Sequence, residues 1–184
     1  FEEAVRAMQA GQSSSALTIA APRDITAKWL QPRLAAYAAS QPGLTFSLVA
    51  ADEMLDFTEA NLDVALRLSD RVGEHEGVQL GEPLFVTVEA ANGGPDQRIE
   101  WPGCPSSDQP ASNRVADAGL AIEAAATGFG RASVPLLLAE ADLTAGRIRQ
   151  VGDAVASPLS YWLIAPLPQW RQKKVKALVE ALTR

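Results

Sequence analysis

In the first third of the chain, short apolar runs alternate with a stretch whose apolar residues recur at helical spacing. The run Ala16–Ala21 predicts a buried strand, and Pro22 follows it. Residues 26–38 predict a helix with Trp29, Leu30 and Leu34 on its apolar side, and 44–49 alternate as a second strand does. A strand, a helix and a strand in this order predict a βαβ unit with parallel pairing.

The rest of the chain predicts more strands and helices around a middle stretch of different composition. Residues 90–113 are rich in Gly, Pro, Ser and Asp, and only 98–101 look like a strand there. Further predicted strands are 62–68, 78–80, 84–88, 132–134, 146–151 and 159–165, and further predicted helices are 54–59, 115–126, 135–143 and 169 onward. This order predicts an α/β protein with two Rossmann-like lobes, and ligands of such folds bind at the crevice.

Composition and charge narrow the function. The chain has 184 residues, is 47% hydrophobic and carries a net charge of -6, so we do not expect it to bind a phosphate backbone by itself. The single cysteine excludes an internal disulfide and a Cys-based metal site. Because the chain begins at Phe1, has no leader and has no apolar run of roughly 18 residues, we interpret it as a cytoplasmic fragment without a membrane span.

A set of segments has an order and spacing that together are specific and that span most of the chain. In chain order they are Leu17–Ala20, Trp29–Leu34, Pro42–Leu44, Asp56–Phe57, Asn61–Arg67, Ala124–Gly130, Val134–Pro135, Ala141–Ile148 and Tyr161–Pro166. They resemble the effector-binding (substrate-binding) domain of LysR-type transcriptional regulators, and within that family the glycine-cleavage-activator-like branch.

The resemblance implies a fold like that of type 2 periplasmic binding proteins. It implies a linker-helix end and linker over 1–14, a first lobe over 15–84 plus 157–184, and a second lobe over 85–156. It also implies a small-molecule effector and a homodimer paired through the first helix and second strand, with a tetramer of the full-length protein. DNA would be contacted only through an N-terminal winged helix-turn-helix that is absent from this chain.

The second lobe departs from the family pattern. Between Val88 and Trp101 the family has a longer stretch with another helix, whereas this chain has only a short segment rich in Gly and polar residues. Arg131 also stands where the family has a small apolar residue. We therefore predict a reduced second lobe.

Ligand-binding candidates come from two strand ends and one glycine turn. Arg23, Asp24 and Thr26 lie where the first strand meets the first helix, whose free N–H groups favour an anion. The alternative is that Asp24 or Thr26 simply caps the helix. Arg67 and Ser69 end the third strand, and Arg67 offers a fork for a carboxylate or an ion pair with Asp63, Asp70 or Glu53.

Phe129 is the last ligand-binding candidate, and its two flanking glycines favour a helix stop over a nucleotide loop. Asp52, Glu53 and Asp56 are interpreted as a solvated loop, and His75 and Cys104 have no partners for a triad, a zinc site or a redox pair. We expect no catalysis, no metal and no cofactor.

The sequence thus predicts a small-molecule sensor of a transcription regulator. The first alternative is a periplasmic solute-binding protein of a transport system, which shares the fold. An enzyme on a similar two-lobed fold is the weakest alternative, because it needs a nucleophile–base pair or a metal cluster.

Overall fold

A computed structural model of the chain describes residues 16–51 and 55–184, so the predicted linker helix and linker at 1–14 lie outside the described residues. The strands are β1 (Ala16–Ala21), β2 (Thr45–Ala50), β3 (Val64–Ser69), β4 (Glu76–Leu80), β5 (Leu84–Ala90), β6 (Arg98–Glu100), β7 (Ala111–Arg114), β8 (Arg131–Pro135), β9 (Ile148–Gln150), β10 (Val155–Ala156) and β11 (Ser160–Ala165). The helices are α1 (23–39), α2 (Ala118–Ala126), α3 (Leu136–Thr144), α4 (Leu167–Trp170) and α5 (Lys173–Thr183). None of these helices is both long enough and apolar enough to cross a membrane.

The first sheet has the strand order β2-β1-β3-β11-β4. β1 pairs in parallel with β2 and with β3, which confirms the predicted βαβ unit. The last strand, β11, returns from the far end of the chain and pairs antiparallel between β3 and β4. Ile19–Ala21 of β1 and Val64–Leu66 of β3 are buried apolar runs without alternation, which is typical of strands covered on both faces.

The second sheet is built from residues 84–156 and has the order β10-β5-β8-β6-β7, with β9 also paired to β5. Helices α2 and α3 pack against β5 and β8. They cover the face that carries Val86, Val88, Ala132 and Val134, each at most 1% exposed. Two sheets in one mixed α/β chain confirm the predicted fold class.

Helix α1 contains one wide turn. It runs as an α-helical segment Arg23–Ile25, a π-helical segment Thr26–Leu30 and an α-helical segment Gln31–Ala39. A proline inside a helix lacks an N–H group and its ring clashes with the carbonyl four residues earlier. Pro32 lies two residues after the π-helical segment, next to Gln31, whose N–H bonds to the Thr26 carbonyl five residues earlier, so the widened turn relieves this clash within an unbroken helix.

The structure differs from the sequence-based prediction at several local points. The predicted helix 54–59 is wrong over its described part, because 57–61 form a turn in which Asp56 accepts from the N–H groups of Thr58 and Glu59. Thr26 does not begin helix α1, since Pro22 is the N-cap. The Thr26 hydroxyl instead donates a hydrogen bond to the Pro22 carbonyl at 2.8 Å. Strands β7 and β10 were not predicted, because β7 is mostly polar and β10 has only two residues.

A cluster of four charged side chains connects α1 to the helices of the second sheet. Lys28 donates to Glu123 at 2.8 Å and to Asp142 at 2.9 Å, and Arg147 binds the other oxygens of both carboxylates. These hydrogen bonds, from Arg147 first and then Lys28, lower the pKa of Glu123 to about 2. Burial opposes the charged form of Lys28, but its hydrogen bonds to Glu123 and Asp142 still raise the pKa of Lys28.

We predict that Lys28→Met destabilises the protein, because it leaves the Asp142 carboxylate, only 7% exposed, with one cation fewer. The expected loss of unfolding free energy is about 1–3 kcal/mol, read from the urea midpoint. Lys176→Met is the matched control, since Lys176 is exposed on α5 and has no ion pair within residues 16–51 and 55–184. Equal losses in the two variants would show that the cluster does not stabilise the contact between the sheets.

Candidate functional site

A cavity of about 420 Å³ lies between the two sheets. It opens where β1 and β2 end and α1 begins, which is the edge at which ligands of open parallel sheets bind. The residues from the side of the first sheet are Pro22, Asp24, Ala51, Arg67, Leu68 and Tyr161, and those from the side of the second sheet are Trp101, Pro102, Ala116, Asp117 and Ala118. We call this cavity the cleft.

The N-termini of α1 and α2 meet at the cleft. Asp24 in the first turn of α1 accepts a hydrogen bond from the Gly119 N–H of α2 at 3.2 Å and from Ile25 N–H at 2.7 Å. Asp117 is the N-cap of α2 and accepts from Leu120 N–H at 2.7 Å. Both carboxylates therefore oppose the positive partial charge of a helix N-terminus.

Arg67 supplies the positive charge of the cleft. It lies on β3 and is half-buried. Within residues 16–51 and 55–184 the Arg67 guanidinium has no hydrogen bond and no ion pair. Two of the acids predicted as alternative ion-pair partners of Arg67 have other contacts. Asp63 pairs with Lys174 at 3.2 Å, and Asp70 contacts the Ser69 hydroxyl at 3.4 Å.

Two aromatic side chains form the apolar part of the cleft wall. Tyr161 on β11 is 4% exposed, and burial, with the nearby charges of Asp24 and Asp117, raises the pKa of its phenol well above the usual value. The Tyr161 phenol therefore stays neutral at physiological pH and can donate a hydrogen bond. Trp101 donates its indole N–H to the Ser133 carbonyl at 2.7 Å, which fixes the ring against the second sheet.

The structure brings two of the six predicted ligand residues together in the cleft, Asp24 and Arg67. Arg23 and Thr26 line a neighbouring surface groove between α1 and the end of β2. Ser69 lies past the cleft, where its carbonyl accepts from the Trp162 indole at 3.2 Å. Phe129 is 58% exposed in the turn after α2, away from the cleft.

The turn at Phe129 has the predicted form of a helix stop. Gly128 has a φ of 94°, and the N–H groups of Gly128 and Phe129 bond to the carbonyls of Ala125 and Ala124. This pattern of two reversed bonds closes α2 in the Schellman manner. It accounts for the first glycine without any ligand.

Among the cleft residues that the sequence-based prediction missed, three have aromatic or charged side chains: Trp101, Asp117 and Tyr161. Asp117 carried a usable signal, since an aspartate directly before the helical run from Ala118 is typical of an N-cap. Tyr161 and Trp101 had none, because an aromatic residue in or beside a strand is indistinguishable by pattern from a core residue.

The remaining chemical candidates have structural explanations. Asp52 and Glu53 lie outside the described residues, and Asp56 stabilises a turn. His75 packs edge-on against Phe57 with ring centroids 5.2 Å apart. Among the residues that the structure describes, no three His, Cys, Asp or Glu side chains are grouped so that they could hold a metal ion.

Residues 10–91 match the family model of the LysR substrate binding domain. Over these 82 of the 184 residues the chain is similar to that family. The match begins before the described residues and ends one residue after β5. It does not specify the glycine-cleavage-activator-like branch, which stays a prediction.

Solved structures of LysR-type effector domains have the same fold. The effector domain of AmpR from Pseudomonas aeruginosa superposes with a TM-score of 0.72 at 23% identity, covering 91% of this chain and 94% of that one. The AmpR effector binding domain from Citrobacter freundii gives 0.72 at 17%, covering 91% and 96%. Full-length AphB of Vibrio cholerae gives 0.68 at 15%, covering 98% of this chain and 74% of that one. No curated protein matches the sequence.

We predict that Gly119→Ala is destabilising, although alanine normally favours a helix over glycine. The added Cβ would lie 2.5 Å from the Asp24 Cβ, so the two helix N-termini must move apart. We expect a loss of about 1–3 kcal/mol in the free energy of unfolding, measured with urea.

Asp24→Gly removes the opposing Cβ and therefore completes a double-mutant cycle. In the Asp24→Gly background, Gly119→Ala should be neutral or stabilising. If Gly119→Ala costs the same in both backgrounds, the close approach of the two helices does not cause the loss.

Proposed function

We propose that this chain is the effector-sensing and oligomerisation domain of a LysR-type DNA-binding transcription regulator, which binds a small molecule with an anionic group in the cleft. The observation that carries the proposal is the guanidinium of Arg67, which lines a cavity between two sheets and has no partner among residues 16–51 and 55–184. A half-buried cation without a partner is costly unless a ligand supplies the opposite charge. The cavity volume of about 420 Å³ is in the range of small-molecule sites.

The other polar groups of the cleft refine the ligand. Asp24 and Asp117 are carboxylates that accept hydrogen bonds, and the neutral Tyr161 phenol can donate one. A ligand that fits all of them has a carboxylate for Arg67 and an amine or hydroxyl group for the two aspartates. We therefore propose a carboxylic acid that also carries a hydrogen-bond donor, such as an amino acid or a hydroxy acid, in preference to a simple dianion.

Such a ligand would bridge the two lobes. We propose the first lobe as 15–84 plus 157–184 and the second as 85–156. A molecule held by Arg67 on one side and by Asp117 on the other stabilises one arrangement of the lobes over the others, and so shifts the population. That shift is the signal that the domain would pass to its oligomer.

The remaining partners follow from the family. We propose a homodimer through α1 and β2, a tetramer of the full-length regulator, DNA contact only through an N-terminal winged helix-turn-helix outside these 184 residues, and a cytoplasmic location. The exposed edge of β2 supports the dimer, because an unpaired strand edge is normally covered or blunted. The exposed residues Ala35, Ala36 and Ala39 give α1 a flat face that a second helix can approach closely.

The ligand is tested by the thermal unfolding of the domain against amino acids, hydroxy acids, and the amide of each acid. A ligand that binds the native state raises its stability, by about 2.7 kcal/mol at a hundredfold excess over the dissociation constant. We predict that an acid from the panel raises Tm and that its amide does not.

Arg67→Gln should weaken binding of that acid by about tenfold or more, because a hydrogen-bonded charge contributes roughly 1.5–3 kcal/mol. Arg171→Gln is the control, since Arg171 is exposed at the end of α4. If the acid stabilises wild type and Arg67→Gln equally, the cleft is not its site.

The proposed dimer interface is tested by a charged substitution on α1. Ala36→Glu puts a charge on the exposed face of α1, and burial of an unpaired charge in an interface is unfavourable. We expect this variant to sediment as a monomer where the wild type sediments as a dimer, with an unchanged urea midpoint at low protein concentration. Ala177→Glu on the exposed face of α5 should leave the dimer intact, and dissociation by Ala177→Glu alone would move the interface to α5.

A further inference from the structure

A second cavity, of about 280 Å³, lies on the second sheet and shares no lining residue with the cleft. Its floor is formed by strand residues Thr87, Ile99 and Ser133, and its rim by the loop 104–109. Helices α2 and α3 pack against the apolar face of the sheet, whereas Thr87 and Ser133 alternate onto the opposite face. We call this cavity the sheet pocket.

The sheet pocket exists because the connection from β5 to β6 is short. Residues 91–97 form a turn and a loop without a helix. Only the segment from Trp101 to Pro110 is left to cover this face, and it leaves a gap above the two hydroxyl groups of Thr87 and Ser133, which bond to each other at 2.8 Å. The floor of the gap is therefore polar and able to accept or donate hydrogen bonds.

The charges beside the pocket do not cancel. Arg131 is held by the buried Glu89 at 3.1 Å and by Asp96 at 3.3 Å, and Arg149 binds the other Glu89 oxygen at 2.6 Å. Arg98 is a third guanidinium in this group, which has only the two carboxylates of Glu89 and Asp96. The group therefore carries one positive charge in excess, although the whole chain has a net charge of -6.

The excess charge resides on Arg98. Within residues 16–51 and 55–184 no carboxylate pairs with Arg98, and its contacts go to neutral atoms: the Pro105 carbonyl at 3.3 Å, the Gln109 carbonyl at 3.5 Å and the Cys104 Sγ at 3.5 Å. These distances are long for N–H donors, whose best bonds are about 2.9 Å. The planar fork of Arg98 thus retains donor capacity for an anion.

We propose that the sheet pocket is a second ligand site, separate from the cleft, for a small molecule that carries a phosphate or carboxylate group. Arg98 binds the oxyanion, and Ser106 and Ser107 in the loop and the Thr87–Ser133 pair supply hydroxyl groups around it. Because the anion and the carbonyls of Pro105 and Gln109 compete for the same Arg98 donors, binding changes the position of the loop 104–109.

The test is an NMR titration of the ¹⁵N-labelled domain with inorganic phosphate and with malonate, at constant ionic strength set with sodium chloride. We expect saturable shifts of the amides of Arg98, Ser106, Ser107 and Arg131. Arg98→Gln should weaken binding by at least about tenfold, as for the loss of a charge-assisted hydrogen bond. Arg114→Gln should not change it, because Arg114 is exposed on β7 and pairs with Glu100 at 3.2 Å.

The single cysteine gives a second readout that needs no variant. Cys104 lines the pocket, so its alkylation by iodoacetate, an anion, should be slowed by phosphate at matched ionic strength more than alkylation by the neutral iodoacetamide. Shifts that increase without saturation, shifts confined to Asp24, Arg67 and Asp117, or equal phosphate effects on the two reagents would overturn the proposal.

Discussion

The cleft depends on the approach of two helix N-termini that belong to different sheets. Each N-terminus carries unsatisfied N–H groups and a positive partial charge, so two helix N-termini repel each other when they point at the same position. Asp24 and Asp117 offset this repulsion, and Asp24 also accepts the Gly119 N–H across the gap at 3.2 Å. Only a residue without a Cβ permits that distance, since an added Cβ would lie 2.5 Å from the Asp24 Cβ.

The charged cluster around Lys28 forms a second contact between α1 and the helices of the second sheet. Asp24 and Lys28 are one helical turn apart on α1, and both reach across to α2, at its first turn and at Glu123 respectively. Two contacts on one helix resist rotation of the sheets better than one. The chain crosses between the sheets on the other side, where the Ser157 N–H bonds to the Pro83 carbonyl at 2.7 Å. A movement that separates α1 from α2 would therefore break both contacts.

The elements that the sequence predicted well are those with a strong apolar pattern. Ala16–Ala21 was predicted to the residue, and the strand predicted over 159–165 is Ser160–Ala165, because buried strands are continuous apolar runs. The cleft was predictable in location but only partly in residues. Asp24 and Arg67 follow from their positions at a helix start and a strand end. Trp101, Asp117 and Tyr161 come from the other lobe or from the last strand, and no local pattern encodes a contact between segments that are far apart in sequence.

The half-buried cations of the described residues divide into two groups according to whether they bind a carboxylate. Lys28, Lys174 and Arg131 each bind a carboxylate. Arg67 and Arg98 have none, and each lines a cavity, the first in the cleft and the second in the sheet pocket. In a chain with net charge -6 acidic partners are plentiful, so an unpaired guanidinium is a feature of the site rather than a shortage of acids. Because a half-buried charge costs free energy that an exposed one does not, the same argument supports the proposal of an anionic ligand at both positions.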